Sequence, residues 1–156
     1  MIRESLHIRR FEPGDGEDVR RLHEAALREV GAFIEDPELD EDLLDIEASY
    51  LGSGEFLIGE LGGRVVAMGA LRRTGLDLAE VKRMRVEPAY QGRGYGQNIL
   101  TTLEKRAADL GYRNLHLDTA VHLETARHLY ERNGYREMRR GKIGSLDCVF
   151  YEKNLV

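Results

Sequence analysis

Apolar positions recur along the chain with periods of two in some stretches and of three to four in others, which predicts interleaved strands and helices. Ser5 to Arg9 alternates Leu6 and Ile8 with polar residues and reads as a first strand, ended by Pro13, Gly14 and Asp15. Val19, Leu22, Ala26 and Val30 then mark one face of a helix that Gly31 closes. A second, shorter helix is expected around Glu41 to Tyr50, with Leu43, Leu44, Ile46 and Tyr50 available for burial. Glu55 to Glu60 and Arg64 to Arg72 are apolar runs parted by Leu61, Gly62 and Gly63, a hairpin composition. In the second run Val65, Ala67 and Gly69 are expected on one face and Val66, Met68 and Ala70 on the other, both apolar, so this strand is central.

Thr74, Gly75 and Leu76 lead into a further strand, Leu78 to Val86. A helix follows from about Gly94 to Leu110, built on Ile99, Leu103, Ala107 and Leu110, then a strand from Arg113 to Asp118. Another helix spans about Leu123 to Asn133, and Tyr135 to Arg140 and Leu146 to Lys153 are the last strands. A strand, helix and strand in succession make a right-handed parallel crossover, so Leu78 to Val86 and Arg113 to Asp118 are expected side by side.

Composition narrows the classes. The 156 residues, 42% hydrophobic, suit one domain over 1–156 with a real core. A net charge of −5 argues against a nucleic-acid partner. The single cysteine, Cys148, excludes an internal disulfide and a multi-cysteine metal site, and no metal is expected. No apolar run approaches a membrane span, and the start MIRESLHIRR lacks the apolar core of a signal peptide, so a cytoplasmic protein with no membrane partner is the expectation. Charge is uneven: Glu35 to Glu47 holds eight acids and no base, whereas bases outnumber acids from Arg72 to Arg106. The acidic run reads as a solvated helix with acids near its start, or as an attractor of a cationic amine.

The richest stretch is VKRMRVEPAYQGRGYG, Val81 to Gly96. Gly92, Gly94 and Gly96 let the backbone turn with positive φ and converge its N–H groups on an anion, at the positive end of the helix that follows. The spacing lacks the lysine and hydroxyl of a Walker loop. Gln91, Gly92, Arg93, Gly94, Tyr95 and Gly96, directly after a strand and Pro88, resemble the acetyl-coenzyme A motif of the GNAT superfamily of N-acetyltransferases. ARHLYERNGY, Ala126 to Tyr135, resembles that family's last helix and its tyrosine, and the order of elements is the family's own.

The resemblance implies a mixed, mostly antiparallel seven-stranded α/β sheet flanked by helices, whose central parallel strands splay apart around the pantetheine arm of acetyl-CoA. It implies backbone contacts from Met84 and Val86, and pyrophosphate contacts from Gln91, Gly92, Arg93, Gly94, Tyr95 and Gly96. It makes Tyr130 the general acid for the departing thiolate, against the plainer reading of an amphipathic core tyrosine. Glu80 is the chosen base for the amine, against a strand-edge glutamate paired with Lys82 or Arg73; Asp118 is the runner-up, ahead of His116 and His122. The family's asparagine in the last helix falls on Leu123 here, and Thr119 and Thr125 are the candidate substitutes for its cofactor contact. Cys148 reads as a buried core thiol rather than a nucleophile.

The implied activity is direct transfer of an acetyl group from acetyl-CoA to a primary amine. The default acceptor is a small-molecule amine, with a peptide or protein amine as the alternative. An acyl-CoA-binding module without turnover is the competing class, and a nucleotide-phosphate binder a third. Exposed strand edges admit a homodimer.

Overall fold

Alternating strands and amphipathic helices assemble, in a computed structural model that describes residues 5–155, into one sheet with a helical layer on each face. The elements are β1 (His7–Arg10), α1 (Gly16–Glu29), β2 (Glu55–Leu61), β3 (Arg64–Arg73), β4 (Leu78–Val86), α2 (Tyr95–Asp109), β5 (Asn114–Ala120), α3 (Glu124–Arg132), β6 (Arg136–Ile143) and β7 (Leu146–Asn154). The opening residues 1–4 of the stretch read for a signal peptide lie outside the described residues.

Among the described residues the seven strands run in the order β1-β2-β3-β4-β5-β7-β6, and β4 with β5 is the parallel pair. The architecture is therefore the mixed, mostly antiparallel sheet expected. Val19 and Leu22 of α1 pack with Phe56, Ile58, Met68 and Tyr50 on one face. Ile99, Leu103 and Ala107 of α2 pack with Val66, Leu71, Val81 and Leu115 on the other. At the outer edge β6 carries Arg136, Arg139, Arg140 and Lys142, charges that oppose edge-to-edge pairing.

Two expectations are corrected. The helix from Glu41 to Tyr50 does not form; a run of 3-10 turns, Pro37–Leu44, and a short π-helical turn, Glu47–Leu51, stand there instead. The carboxylates are the cause. Asp36 accepts from the Glu38 amide at 3.0 Å, and Asp45 accepts from the Ala48 amide at 3.1 Å, so each offers the backbone a local partner in place of a helix. Arg83 then draws in the Leu39 carbonyl at 2.6 Å, Asp42 at 2.5 Å and Asp40 at 3.4 Å, folding the acidic run onto β4. Leu43, Ile46 and Tyr50 are buried as expected, but Leu44 is exposed.

The second correction concerns β3. Its register with β2 slips by one between Gly59 and Glu60, so Val65 joins the α1 side and Val66 the α2 side, the reverse of strict alternation. Beyond the slip the expected faces hold: Met68 and Ala70 lie on the α1 side, and Ala67 and Gly69 toward α2.

Gly69 lets α2 close directly on the sheet. A Cβ there would lie 2.6 Å from both Ile99 Cγ2 and Met84 Sδ. Gly69→Ala is expected to cost about 1–3 kcal/mol by overpacking, a fall of roughly 3–10 °C in Tm. Gly52→Ala, where a Cβ meets nothing within 4 Å, should leave the melting curve close to wild type and serves as the control.

Candidate active site

The site begins where β4 and β5 part. Their pairing runs from Leu78↔Asn114 to Glu80↔His116 and stops, although β4 continues to Val86 and β5 to Ala120. A bulge in β4 reinforces the parting: Met68↔Arg85 and Ala70↔Lys82 leave Arg83 and Met84 together opposite Gly69. Arg83 takes φ of 57°, a left-handed conformation uncommon for such a side chain, and its ion pairs with Asp40 and Asp42 hold it there.

Glu87 donates its amide to Val66 O on β3 at 2.8 Å, so the alternation of the strand turns the backbone of Val86 and Met84 the other way, into the gap. The carbonyls of both are already engaged, Met84 O by Arg85 Nη1 at 2.8 Å and Val86 O by Gln91 Nε2 at 3.0 Å. Their N–H groups are thus the parts of these peptides turned into the gap.

The glycine loop closes one end of the gap. Gly92 and Gly94 have φ of 78° and 85°, whereas Gly96 lies within α2 in ordinary backbone geometry. A Cβ at Gly96 would stand 3.7 Å from Val86 and Leu129, so its smallness serves close approach and not the turn. The Asn98 amide bonds to Gly94 O at 3.1 Å, which leaves the preceding N–H groups of the helix start pointing out of it, with no side-chain cap on Gly94. Arg93 lies over the Tyr90 ring at 5.2 Å, and the Tyr95 side chain is buried in the core, so only backbone groups of Tyr95 face the loop's anion position.

Between these walls lies a cleft of about 880 Å³. It brings together Glu80, Met84, Val86, Asp118, Thr119, Thr125, Tyr130 and the loop residues Gln91, Gly92, Gly94 and Gly96. Tyr130 is 6% exposed, and burial pushes its phenol up to about 12, with the Asp118 charge adding to the effect and Arg85 opposing it. Asp118 holds its proton more tightly than an ordinary aspartate because it is buried and faces the charge of Glu80. Glu80 is fixed by Arg72 at 3.0 Å, its directly opposed neighbour on β3, not by Lys82 or Arg73.

Other candidates are engaged by neighbouring groups, His122 at the cleft wall itself. His116 Nε2 shares a hydrogen bond with Thr74 Oγ1 at 2.7 Å, and His122 Nε2 donates to Val30 O at 2.8 Å. Cys148 borders the cleft but is 3% exposed, and burial raises its thiol further from the reactive thiolate.

Two side chains in the cleft were not singled out in the sequence. Arg85, on the bulged strand, is pulled down to about 10 by burial and by the neighbouring charge of Arg83. His23 of α1, 3% exposed, meets Asp40 at 3.1 Å, and burial with the charges of Arg85 and Arg83 lowers it to about 4, so it is neutral at pH 7. The strand carries Glu80, Lys82, Arg83 and Arg85 together, so nothing in the sequence set Arg85 apart, and His23, on the inner stripe of α1 beside Leu22, was no better marked.

Residues 17–135 match the model of the acetyltransferase (GNAT) family. The IAA acetyltransferase of Azospirillum brasilense is 31% identical over 136 residues, 83% of this chain and 88% of that protein. A GNAT-family acetyltransferase of Staphylococcus aureus Mu50 superposes with a TM-score of 0.89 over 97% of this chain and 100% of its own, at 22% identity. The PaiA N-acetyltransferase of Thermoplasma acidophilum, solved in complex with coenzyme A, superposes with a TM-score of 0.78 over 96% and 99%, at 18% identity. At those identities the two structures speak for the fold, whereas the family model covers most of the chain and the splayed strands, the glycine loop and Tyr130 fall inside it. The chain belongs to the acetyltransferase (GNAT) family.

Proposed function

We propose that this protein transfers an acetyl group directly from acetyl-CoA to a primary amine held in the same cleft. The observation that carries the reading is the parting of β4 from β5 beside the left-handed Gly92–Gly94 turn, which joins inward N–H groups of a strand to those of a helix start in one continuous groove. That donor set fits acetyl-CoA: the loop and α2 would hold its pyrophosphate, and Met84 and Val86 its pantetheine arm. Bound there, it supplies the acetyl group as a thioester and leaves as a thiol.

The chain's own residues supply the proton transfers. An amine arrives as an ammonium ion and must lose a proton before it can attack. Asp118 takes that role, because its raised proton affinity brings it closer to the working pH than a solvated aspartate. Glu80, expected from the sequence as the base, is held by Arg72 and acts as the second carboxylate that keeps the affinity of Asp118 high. The Met84 N–H faces the position where negative charge grows on the carbonyl oxygen. Tyr130, protonated throughout the physiological range, donates a hydrogen bond to the departing sulfur and passes its proton there. With a phenol near 12 against a reference thiol of roughly 8.5, full transfer runs uphill until the sulfur is itself desolvated, so the hydrogen bond is the larger part of its contribution.

The test is thiol release from acetyl-CoA by wild type and Tyr130→Phe, over a panel of polyamines, amino acids, aminoglycosides and peptides. Amine-dependent release that falls roughly ten- to hundredfold in kcat in the variant, with acetyl-CoA binding retained, is the expected result. Tight binding of acetyl-CoA with no release on any amine would point to a binding module instead.

A further inference from the structure

Among the described residues, two buried side-chain polar atoms have no hydrogen-bond partner, Arg85 Nε and His23 Nδ1, and both residues border the acceptor half of the cleft. They differ in kind. Arg85 Nε–H is a donor on a permanent cation, whereas His23, whose Nε2 meets Asp40, presents a lone pair at Nδ1 and adds no negative charge.

The charge of Arg85 is met only through space: Asp40 and Asp118 stabilise it from a distance, and no carboxylate bonds to it. Asp40 and Asp42 are bonded to Arg83, Glu80 is bonded to Arg72, and Arg85 makes a single polar contact, with the carbonyl of its neighbour Met84 at 2.8 Å. Arg85 is half-buried at the cleft wall with no carboxylate bonded to it, and its planar fork matches a carboxylate in two parallel hydrogen bonds. Leu27, Val30, Ile34, Leu39, Ile143 and Leu146 give the cleft an apolar wall beside the polar side chains of Asp40, Lys82 and His122.

Resting on the acetyltransferase reading above, we propose that Arg85 receives the carboxylate of the acceptor, which is a free α-amino acid with an apolar side chain. Its ammonium group then faces Asp118, its carboxylate faces Arg85, and its side chain fills the pocket of Leu27, Val30 and Ile34.

The experiment measures kcat/KM for the standard amino acids and for their amides, in wild type, Arg85→Met and Arg85→Lys. Wild type should prefer an apolar amino acid such as leucine over leucinamide by about 10- to 150-fold, the value of one charged hydrogen-bonded pair. That ratio should collapse toward one in Arg85→Met and stay intermediate in Arg85→Lys. Both variants should bind acetyl-CoA as wild type does, so that a changed leucine preference reports the acceptor and not a collapsed cleft. A ratio unmoved by the substitution would make Arg85 a structural prop and overturn the proposal. Turnover of amines lacking a carboxylate, with amino acids refused, would overturn it while leaving the acetyltransferase reading intact. A binding arm separates the two claims: N-acetyl-leucine with CoA should raise the Tm of wild type and not of Arg85→Met. That shift in the absence of any turnover would support the carboxylate site and sink the acetyltransferase reading; its absence in wild type would overturn the carboxylate site.

Discussion

Asp118→Asn is expected to lower kcat/KM for the amine by about 10²- to 10⁴-fold, the usual worth of a positioned general base, while making the protein more stable at neutral pH. The amide keeps the shape of the carboxylate and loses its ability to take a proton. Stability moves the other way because the folded protein raises the proton affinity of Asp118 above its ordinary value of 3.8. A group raised in this way gives its full stabilisation below the unfolded value and loses it as pH rises through the folded one, so at pH 7 the wild type carries a buried charge that Asn removes. The advantage of the variant in Tm should therefore be largest at neutral pH and should vanish as the pH approaches 3.8. Thermal melts at several pH values read the stability, and the pH profile of kcat/KM reads the activity. The wild-type profile should rise through the shifted Asp118 value, and the variant should lose that limb. Glu80→Gln should be milder, since Glu80 is held by Arg72; a larger loss in Glu80→Gln than in Asp118→Asn would reverse the two roles.

Gly94→Val should abolish tight binding of acetyl-CoA more than it harms the fold. Gly94 sits at φ of 85° at the head of α2, a conformation that a β-branched side chain avoids at a cost of about 1–3 kcal/mol. Space is not the obstacle, because a Cβ there meets nothing within 4 Å. The strain is relieved by rotating the loop, which disperses the N–H groups that converge beside Gly92. Converted to affinity, the cost predicts a ten- to hundredfold rise in the Kd for acetyl-CoA, measurable by calorimetry. Gly94→Asn, which tolerates the left-handed region, should retain most of the binding. Equal losses in both variants would mean that the side chain's bulk toward the ligand, and not the backbone angle, is what matters.

Much of this was legible in the chain. The crossover of β4, α2 and β5 follows from apolar periodicity alone, and the glycine loop could be placed at its turn because a strand, a proline and alternate glycines occur in that order. What the sequence did not show is what depends on register. Arg72 and Arg73 are adjacent, and only the pairing of β3 with β4 reveals that Arg72 faces Glu80. The slip between Gly59 and Glu60 exchanges Val65 and Val66 between faces, and two equally apolar residues carry no mark of it. The stretch from Glu41 to Tyr50 suggested a helix because Leu43, Leu44, Ile46 and Tyr50 were available for burial. The carboxylates in and before it instead cap short turns and clasp Arg83, a partner about forty residues away that no local pattern announces.

The most direct test of the central claim mixes the purified protein with acetyl-CoA and one accepted amine, then follows thiol release and acetylated amine together. Direct transfer predicts one acetylated amine for each thiol released, no thiol release when the amine is omitted, and no acetyl group left on the protein after incubation with acetyl-CoA alone. Thiol release without acetylated amine, or a stable acetyl-protein that later passes its acetyl group to the amine, would contradict it.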